Sequence, residues 1–518
     1  MRFIFSFAMC IFLCSVTFEQ NSAFAQDGID QVVKPELRIK SDTVFYKVIA
    51  TQFKLPFLMD TGVSGPFELV NDGKTFLFVN RCGLVTLAEL NEVGFHLLSQ
   101  KSLPNSKSVF CAGDTSAPQL IANLGNKLLY GVKGMKLDVA RKRMFVATNS
   151  LVDNRCLVVK VFEYPISFSP LTIGNPKQIF STDKVVQGYD NSDGCPKLET
   201  LVPTQSGGAM ALDDKGNLYF GIGDFGSYPE AQDEKSSYGK IFVYNGESTS
   251  LHAMGVRNPQ GLYFDLASGT LFETEHGPKG GDEINDIKQN DNLGWPFSSY
   301  GIDYSASGLD HFRPLPGEEK WGNHDFGKKP LFVYFPSIGI TDLTVITPQS
   351  MFKDWAGSAL IGSLKGNSIY RVKLDNVRGV YSEPVIDLKQ RIRFLRQAEN
   401  GTLYIKADPD FLFVLQLDWP GVRRNDADDY NYASISDKAG SCKVCHLSKE
   451  QAGIPNIFGM KPDSMLAAFK RLTTSTTANQ QMVGIAKGLS SDEMTGLAKY
   501  FSEHPRGNPG TTGVSNSH

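Results

Sequence analysis

Between residues 40 and 420 the chain alternates short apolar runs with turns rich in Gly, Asp and Asn. One arrangement recurs: a tight turn, then two or three apolar residues, then a small or polar one. It occurs at Asp72-Gly73-Lys74-Thr75-Phe76-Leu77-Phe78-Val79 and at Arg143-Met144-Phe145-Val146-Ala147. The clearest copy is Asp214-Lys215-Gly216-Asn217-Leu218-Tyr219-Phe220-Gly221. Others are Ser268-Gly269-Thr270-Leu271-Phe272, Gly357-Ser358-Ala359-Leu360-Ile361-Gly362 and Asn400-Gly401-Thr402-Leu403-Tyr404-Ile405. A turn followed by a short apolar run marks a hairpin entering a buried strand. Six copies at uneven spacing predict a six-bladed β-propeller with long inserted loops. A single sandwich core rarely grows so large. Phe95 to Asn126 breaks the rhythm and reads as an insertion.

The pattern changes after residue 420. Arg423-Arg424-Asn425-Asp426-Ala427-Asp428-Asp429-Tyr430 is polar and acidic, which makes 421–432 a linker. Residues 433–505 then show helical periodicity in Ser464-Met465-Leu466-Ala467-Ala468-Phe469 and from Asp492 to Phe501. The overall expectation is mainly β: a propeller over 40–420 followed by a small all-α domain. The Gly/Ser/Thr-rich tail, 506–518, has little to pack.

The small domain carries Cys442-Lys443-Val444-Cys445-His446. This C-x-x-C-H spacing is the attachment signature of a c-type haem: two thiols bond the porphyrin and the adjacent His ligates iron. A zinc site would need a second Cys pair, and none follows. Downstream come Gly453-Ile454-Pro455, then Gln480-Gln481-Met482-Val483, then a helical run. This layout resembles the class I cytochromes c. The resemblance implies that Pro455 orients the ligating His446 and that Met482 is the sixth iron ligand. Met460, Met465 and Met494 read as packing residues.

The first 25 residues read as a cleaved signal peptide: Arg2, an apolar run from Phe3 to Val16, and Ala23-Phe24-Ala25 before Gln26. A periplasmic or secreted protein without a transmembrane anchor after cleavage is expected. Cys82, Cys111, Cys156 and Cys195 could then pair. Nearness favours Cys82 with Cys111 and Cys156 with Cys195, and free buried thiols are the alternative. The net charge of −3 offers no basic field for nucleic acid.

The densest polar cluster lies in the propeller. It runs Val256-Arg257-Asn258-Pro259-Gln260-Gly261, then Thr274-Glu275-His276-Gly277-Pro278-Lys279-Gly280-Gly281-Asp282-Glu283-Ile284-Asn285, then Asn292-Leu293-Gly294-Trp295-Pro296. Arg257, Asn258 and Gln260 offer donors for carboxylates or quinone oxygens. Gly277 and Pro278 offer carbonyls in a tight turn, the ligands hard cations favour, and Asp282 and Glu283 add negative charge. These strings resemble the glucose/sorbosone dehydrogenase family of soluble quinoproteins, as do Leu364-Lys365-Gly366 and Arg391-Ile392-Arg393. The resemblance spans most of 50–415. It implies that Arg257, Asn258, Gln260, Lys365, Arg391 and Arg393 hold pyrroloquinoline quinone (PQQ), and that carbonyls of Gly277 and Pro278 hold calcium.

The family also has a catalytic His before a Gly-Gly pair. Here Thr204-Gln205-Ser206-Gly207-Gly208 puts Gln205 in that position, while Asp224 matches the aspartate that orients the His. A neutral amide does not accept a hydroxyl proton usefully. Either another group is the base, with Asp224 the obvious stand-in, or the substrate differs, or the site is dead. The sequence thus supports an oxidoreductase that oxidises a sugar or alcohol at PQQ and passes electrons to haem c and on to an acceptor protein. The alternative is an inactive propeller that binds carbohydrate or protein beside a tethered cytochrome. A purely structural role leaves the haem without a purpose.

Overall fold

The computed structural model describes residues 32–104, 131–182, 202–301, 324–417, 439, 457–474, 482, 486, 489 and 491–503, with short breaks at 44–45, 59–62, 71–72, 153–155 and 375–377. Residues 1–25, the linker, the tail, Pro455 and the haem motif Cys442, Cys445 and His446 lie outside these. Cys82 is disulfide-bonded. Cys111 and Cys195 lie outside the described residues, and so does the expected pairing.

Six sheets form the propeller, antiparallel except where Asp291–Asn292 joins the edge of the third in parallel. Their innermost strands, blades 1 to 6, are Phe67–Val70, Gly131–Asp138, Gly207–Leu212, Pro259–Asp265, Ile340–Val345 and Ile392–Gln397. Each packs against the next, and the last returns to the first. Blade 6 is completed from the other end of the chain. Its strand Phe411–Leu417 pairs with Lys47–Lys54, which pairs with Leu37–Asp42. Hydrogen bonds between the two ends of the propeller therefore close the ring.

Each of the six turn-and-strand copies is the hairpin between the first and second strand of one blade. The turns need a left-handed residue, and Gly73, Gly216, Gly269, Gly357 and Gly401 supply it, with φ between 68° and 84°. Lys142 does so in blade 2, at φ 52°. One expectation, the insertion over Phe95 to Asn126, fails for its described part, while residues 105–126 lie outside the described residues. Phe95–Ser102 is no insertion but the fourth strand of blade 1, paired with Leu84–Leu90. Among the described residues only the two-residue strand Val32–Val33 pairs beyond it, at Phe95 and His96, so its later polar positions face water and its apolar signal fades after Phe95.

The core is divided among the blade interfaces. Separate apolar clusters lie between successive blades, for example Phe145 and Val161 against Phe220 and Ile222 between blades 2 and 3. At the axis the inner strands are joined by ion pairs. Glu68 of blade 1 meets Lys136 of blade 2 at 3.2 Å and Arg396 of blade 6 at 2.7 Å. Arg396 also meets Asp342 of blade 5. Truncating Glu68 would leave Lys136 without its partner, and truncating Arg396 would do the same to Asp342.

In the C-terminal part, helices α1 (Pro462–Thr474) and α2 (Ser491–Glu503) cover the two expected helical runs. Proline suits the first turn of α1, where its missing N–H is not needed. Met465 and Phe469 of α1 and Leu497, Ala498 and Phe501 of α2 share one apolar cluster, with Met460 and Met494 packed against it. Met482 is half-buried. Among the described residues no helix is long and apolar enough to cross a membrane.

Candidate active site at one mouth of the propeller

In an antiparallel blade, the start of the first strand and the end of the second lie on one face, with the start of the third and the end of the fourth. Every propeller residue singled out in the sequence falls on that face. Gln205 precedes Gly207–Leu212, and Asp224 follows Leu218–Ile222. Arg257 and Asn258 link Thr249–Met254 to Pro259–Asp265, which begins with Pro259-Gln260. Gly277 and Pro278 follow Thr270–Glu275, and Lys365 follows Ser358–Ser363. Arg391 and Arg393 flank the start of Ile392–Gln397. Residues nearly 190 positions apart thus meet at one end of the axis because the blades repeat one topology.

The centre of the blade 3–4 side is the Arg257 guanidinium. It donates to the carbonyls of His276 and Gly277, both at 2.9 Å, and lies 5.4 Å from the Trp295 ring centroid. Its other terminal nitrogen meets Gln205. The Gln205 amide satisfies its neighbours in one orientation, accepting from Arg257 at 2.9 Å and donating to Asp224 Oδ1 at 2.8 Å. Asp224 is fully buried and also accepts from Trp295 Nε1 at 2.8 Å and Gly226 N at 2.9 Å. Burial pushes its carboxyl up to about 6, against the opposing pull of Arg257. Gln205 is therefore in contact with a carboxylate whose proton affinity is raised by burial.

Blade 4 supplies the frame. Glu275 Oε2 accepts from the backbone N–H groups of Arg257 and Asn258, which fixes that turn. Asn258 Oδ1 accepts from Gly207 N at 3.2 Å and from Gln260 Nε2 at 2.9 Å. Burial pushes the Glu275 carboxyl up to about 7. Burial and the nearby Glu275 carboxylate raise Glu283 as well. Asp282, expected to add negative charge, has its oxygens engaged by hydrogen bonds. It accepts from Ser337 Oγ, Gly339 N and Ile340 N at 2.8 to 3.0 Å. The same loop accepts from Leu364 N and Lys365 N, so a blade 4 carboxylate holds the blade 5 lysine turn.

The opposite side is cationic. Arg393 donates to both Asp408 oxygens at 2.9 and 3.0 Å, and Arg391 lies 3.6 Å from the same carboxylate. Asp408 also accepts from Ser64 N at 2.7 Å. Two guanidiniums share one acid, which leaves excess positive charge. Lys365 is exposed, and its ammonium has no hydrogen bond or ion pair with the described residues.

These groups fit an acidic quinone and a hard cation. Unneutralised cations face a common mouth, as a polycarboxylate requires. The cavity beside Arg257 is lined by Glu275, His276, Gly277, Glu283, Ser298 and Ser299, an oxygen-rich set. The Gly277 carbonyl already accepts from Arg257, leaving one lone pair for a cation. Among the described residues no group of three or more His, Cys, Asp or Glu could hold a metal, so carbonyls would supply the coordination.

An aldose sugar dehydrogenase of Escherichia coli is 29% identical over 229 residues, 41% of this chain and 59% of that protein. Quinoprotein glucose dehydrogenase B of Acinetobacter calcoaceticus is 26% identical over 211 residues, 32% of this chain and 44% of that protein. The chain thus spans about half the length of these curated relatives. The solved apo structure of the soluble E. coli aldose sugar dehydrogenase superposes with a TM-score of 0.55 at 21% identity, covering 71% of this chain and 98% of that one, which shows the fold. Over residues 195–411 the chain matches the model of the Glucose / Sorbosone dehydrogenase family, a match that takes in blades 3 to 6 of the six-bladed propeller.

Proposed function

We propose that this chain is an exported quinohaemoprotein oxidoreductase that oxidises a sugar or alcohol at PQQ. The observation that carries the reading is the convergence of Gln205, Asp224, Arg257, Asn258, Gln260, Gly277, Pro278, Lys365, Arg391 and Arg393 on one face. The printed names of the relatives, an aldose sugar dehydrogenase and a quinoprotein, point to the same chemistry. Lys365, Arg391 and Arg393 would hold the quinone carboxylates, and Arg257, Asn258 and Gln260 would border the ring. Carbonyls of Gly277 and Pro278 would hold calcium. Bound there, a calcium-polarised quinone supplies the two-electron oxidising power that side chains lack.

The proton is the protein's task. Asp224 takes it from the substrate hydroxyl, since a carboxyl near 6 is deprotonated at neutral pH yet still basic. Gln205 covers Asp224 and must turn aside, exchanging its hydrogen bond for one with the substrate. The haem c that Cys442, Cys445 and His446 would attach, with Met482 as sixth ligand, gives the chain a one-electron outlet to an acceptor protein. Sharing one chain raises the effective concentration of the two centres.

A second reading rests on Gln205 alone: the propeller is inactive and binds carbohydrate or protein. One experiment decides. The exported protein is incubated with calcium and PQQ, passed through gel filtration, and offered aldoses and alcohols while the haem band is followed. We expect quinone to co-elute and at least one sugar to reduce the haem. Loss of all quinone overturns the cofactor assignment. Retained quinone with no reduction supports the inactive module.

A further inference from the structure

We propose that Lys133 is a further ligand-contacting residue of this mouth, seating a carboxylate beside Arg393. The argument begins with register. Pro259 pairs with Glu275 and Gly261 with Thr274, so Gln260 is an extra residue on its inner strand. Ile392 pairs with Ala407 and Phe394 with Lys406, which makes Arg393 extra in blade 6. In blade 2, Val132 pairs with Thr148 and Gly134 with Ala147, and the extra residue is Lys133. A β-bulge turns one side chain out of the strand's alternation. It recurs at the same end of the inner strand, so Lys133 occupies in blade 2 the place that Gln260 and Arg393 occupy in blades 4 and 6.

The surroundings of Lys133 suit an anion. Lys133 is half-buried. Among the described residues its ammonium has neither a hydrogen bond nor an ion pair. Its charged neighbours are Arg81 and Arg393, both cations, and with burial they push its pKa well down. Arg81 donates to the Val132 carbonyl at 2.9 Å, which holds one cation against the backbone of the bulge. Space for the lysine comes from Gly208, where a Cβ would lie 2.8 Å from Lys133 Cβ. A crowded cation beside two others is costly unless an anion joins them.

That anion is a carboxylate, either of the quinone or of an acidic sugar such as a hexuronate. The choice between them rests on the proposed function, while the anion contact does not. Full-length wild type, Lys133→Met and Lys133→Arg are titrated with PQQ in calcium by fluorescence. Turnover is then compared on glucose and glucuronate. A quinone carboxylate predicts affinity weakened roughly ten- to a hundredfold in Lys133→Met and largely restored in Lys133→Arg. A substrate carboxylate predicts unchanged quinone affinity, with the glucuronate-to-glucose preference falling by a similar factor. Both outcomes support the site and tell the sources apart. If neither quantity moves, the proposal is overturned. If wild type binds no quinone, the proposed function fails, and glucuronate binding by calorimetry decides for Lys133: equal affinity in wild type and Lys133→Met overturns it. Ligand-free Lys133→Met should also melt no lower than wild type, because it loses an unpaired cation. A lower melting temperature together with unchanged ligand affinities would mark Lys133 as merely structural and overturn the proposal.

Discussion

The two sides of the mouth differ in kind. On the blade 3–4 side, Asp224, Arg257, Asn258 and Glu275 are at most 4% exposed and hydrogen-bonded to one another or to backbone. On the other side, Lys365 and Arg391 are exposed, Lys133 is unpaired among the described residues, and Arg393 shares the Asp408 carboxylate with Arg391. The first side has already used its polar groups to build itself. The second keeps charge in reserve. A site for a small acidic ligand needs both: a rigid frame that fixes geometry, and cations whose partners are supplied by the ligand.

The contrast is broken most directly by removing one cation from each side. Arg257→Met removes the donor to the His276 and Gly277 carbonyls and to the Gln205 amide, and with it the cation whose field opposes the burial of Asp224. We expect about 1.5–3 kcal/mol of destabilisation, from lost hydrogen bonds to a charged group and polar atoms left buried. Lys365→Met removes an exposed charge with no partner among the described residues and should cost no more than about 0.5 kcal/mol. Denaturant unfolding of the two variants checks this. Equal losses would mean that the sides are not different in kind.

Asp224 tests whether the frame also does chemistry. Asp224→Asn keeps the shape and should lower turnover by roughly 10²- to 10⁴-fold while leaving quinone retention intact. In the wild type, turnover should rise as pH climbs through about 6 and then level off, as the carboxyl loses its proton. Stability runs the other way. The folded pKa is raised, so the folded state holds that proton more tightly than an unfolded chain. This contribution is present below 3.8 and is lost as pH rises to about 6. A pH–rate profile unchanged in Asp224→Asn would place the base elsewhere.

Much of this was legible in the chain. The six hairpins were visible because a left-handed turn beside a strand buried on both faces leaves a local mark. The RNPQG and EHGPKGGDE strings were visible because they are contiguous. Phe95–Ser102 was missed because an outer strand faces water and loses its apolar alternation. Lys133 was missed although it left a trace: a lone charge in Leu128-Leu129-Tyr130-Gly131-Val132-Lys133-Gly134-Met135. Its equivalence to Gln260 and Arg393 depends on strand register, which no local pattern carries. The saturation of Asp282 was equally hidden, since its partners lie 55 to 58 residues away.

Asp282 also offers the finest test, because it joins the two sides. Its oxygens accept from Ser337 Oγ, Gly339 N and Ile340 N, and that loop holds Lys365 through Lys365 N to Ile338 O at 3.0 Å. Gly339 N and Ile340 N both donate to Asp282 Oδ2, so Asp282→Asn with its oxygen there keeps both contacts but weakens them by removing the charge, and turns the Oδ1 position from an acceptor of the Ser337 hydroxyl into a donor. The fold should survive, while the lysine turn loosens and quinone affinity falls by several-fold, less than for Lys365→Met itself. The decisive comparison is the double variant. If Asp282 acts through Lys365, Asp282→Asn adds almost nothing to Lys365→Met. Residues with independent effects would instead add fully. Additivity would separate the frame from the charges it is said to hold, and the two sides would be neighbours rather than one device.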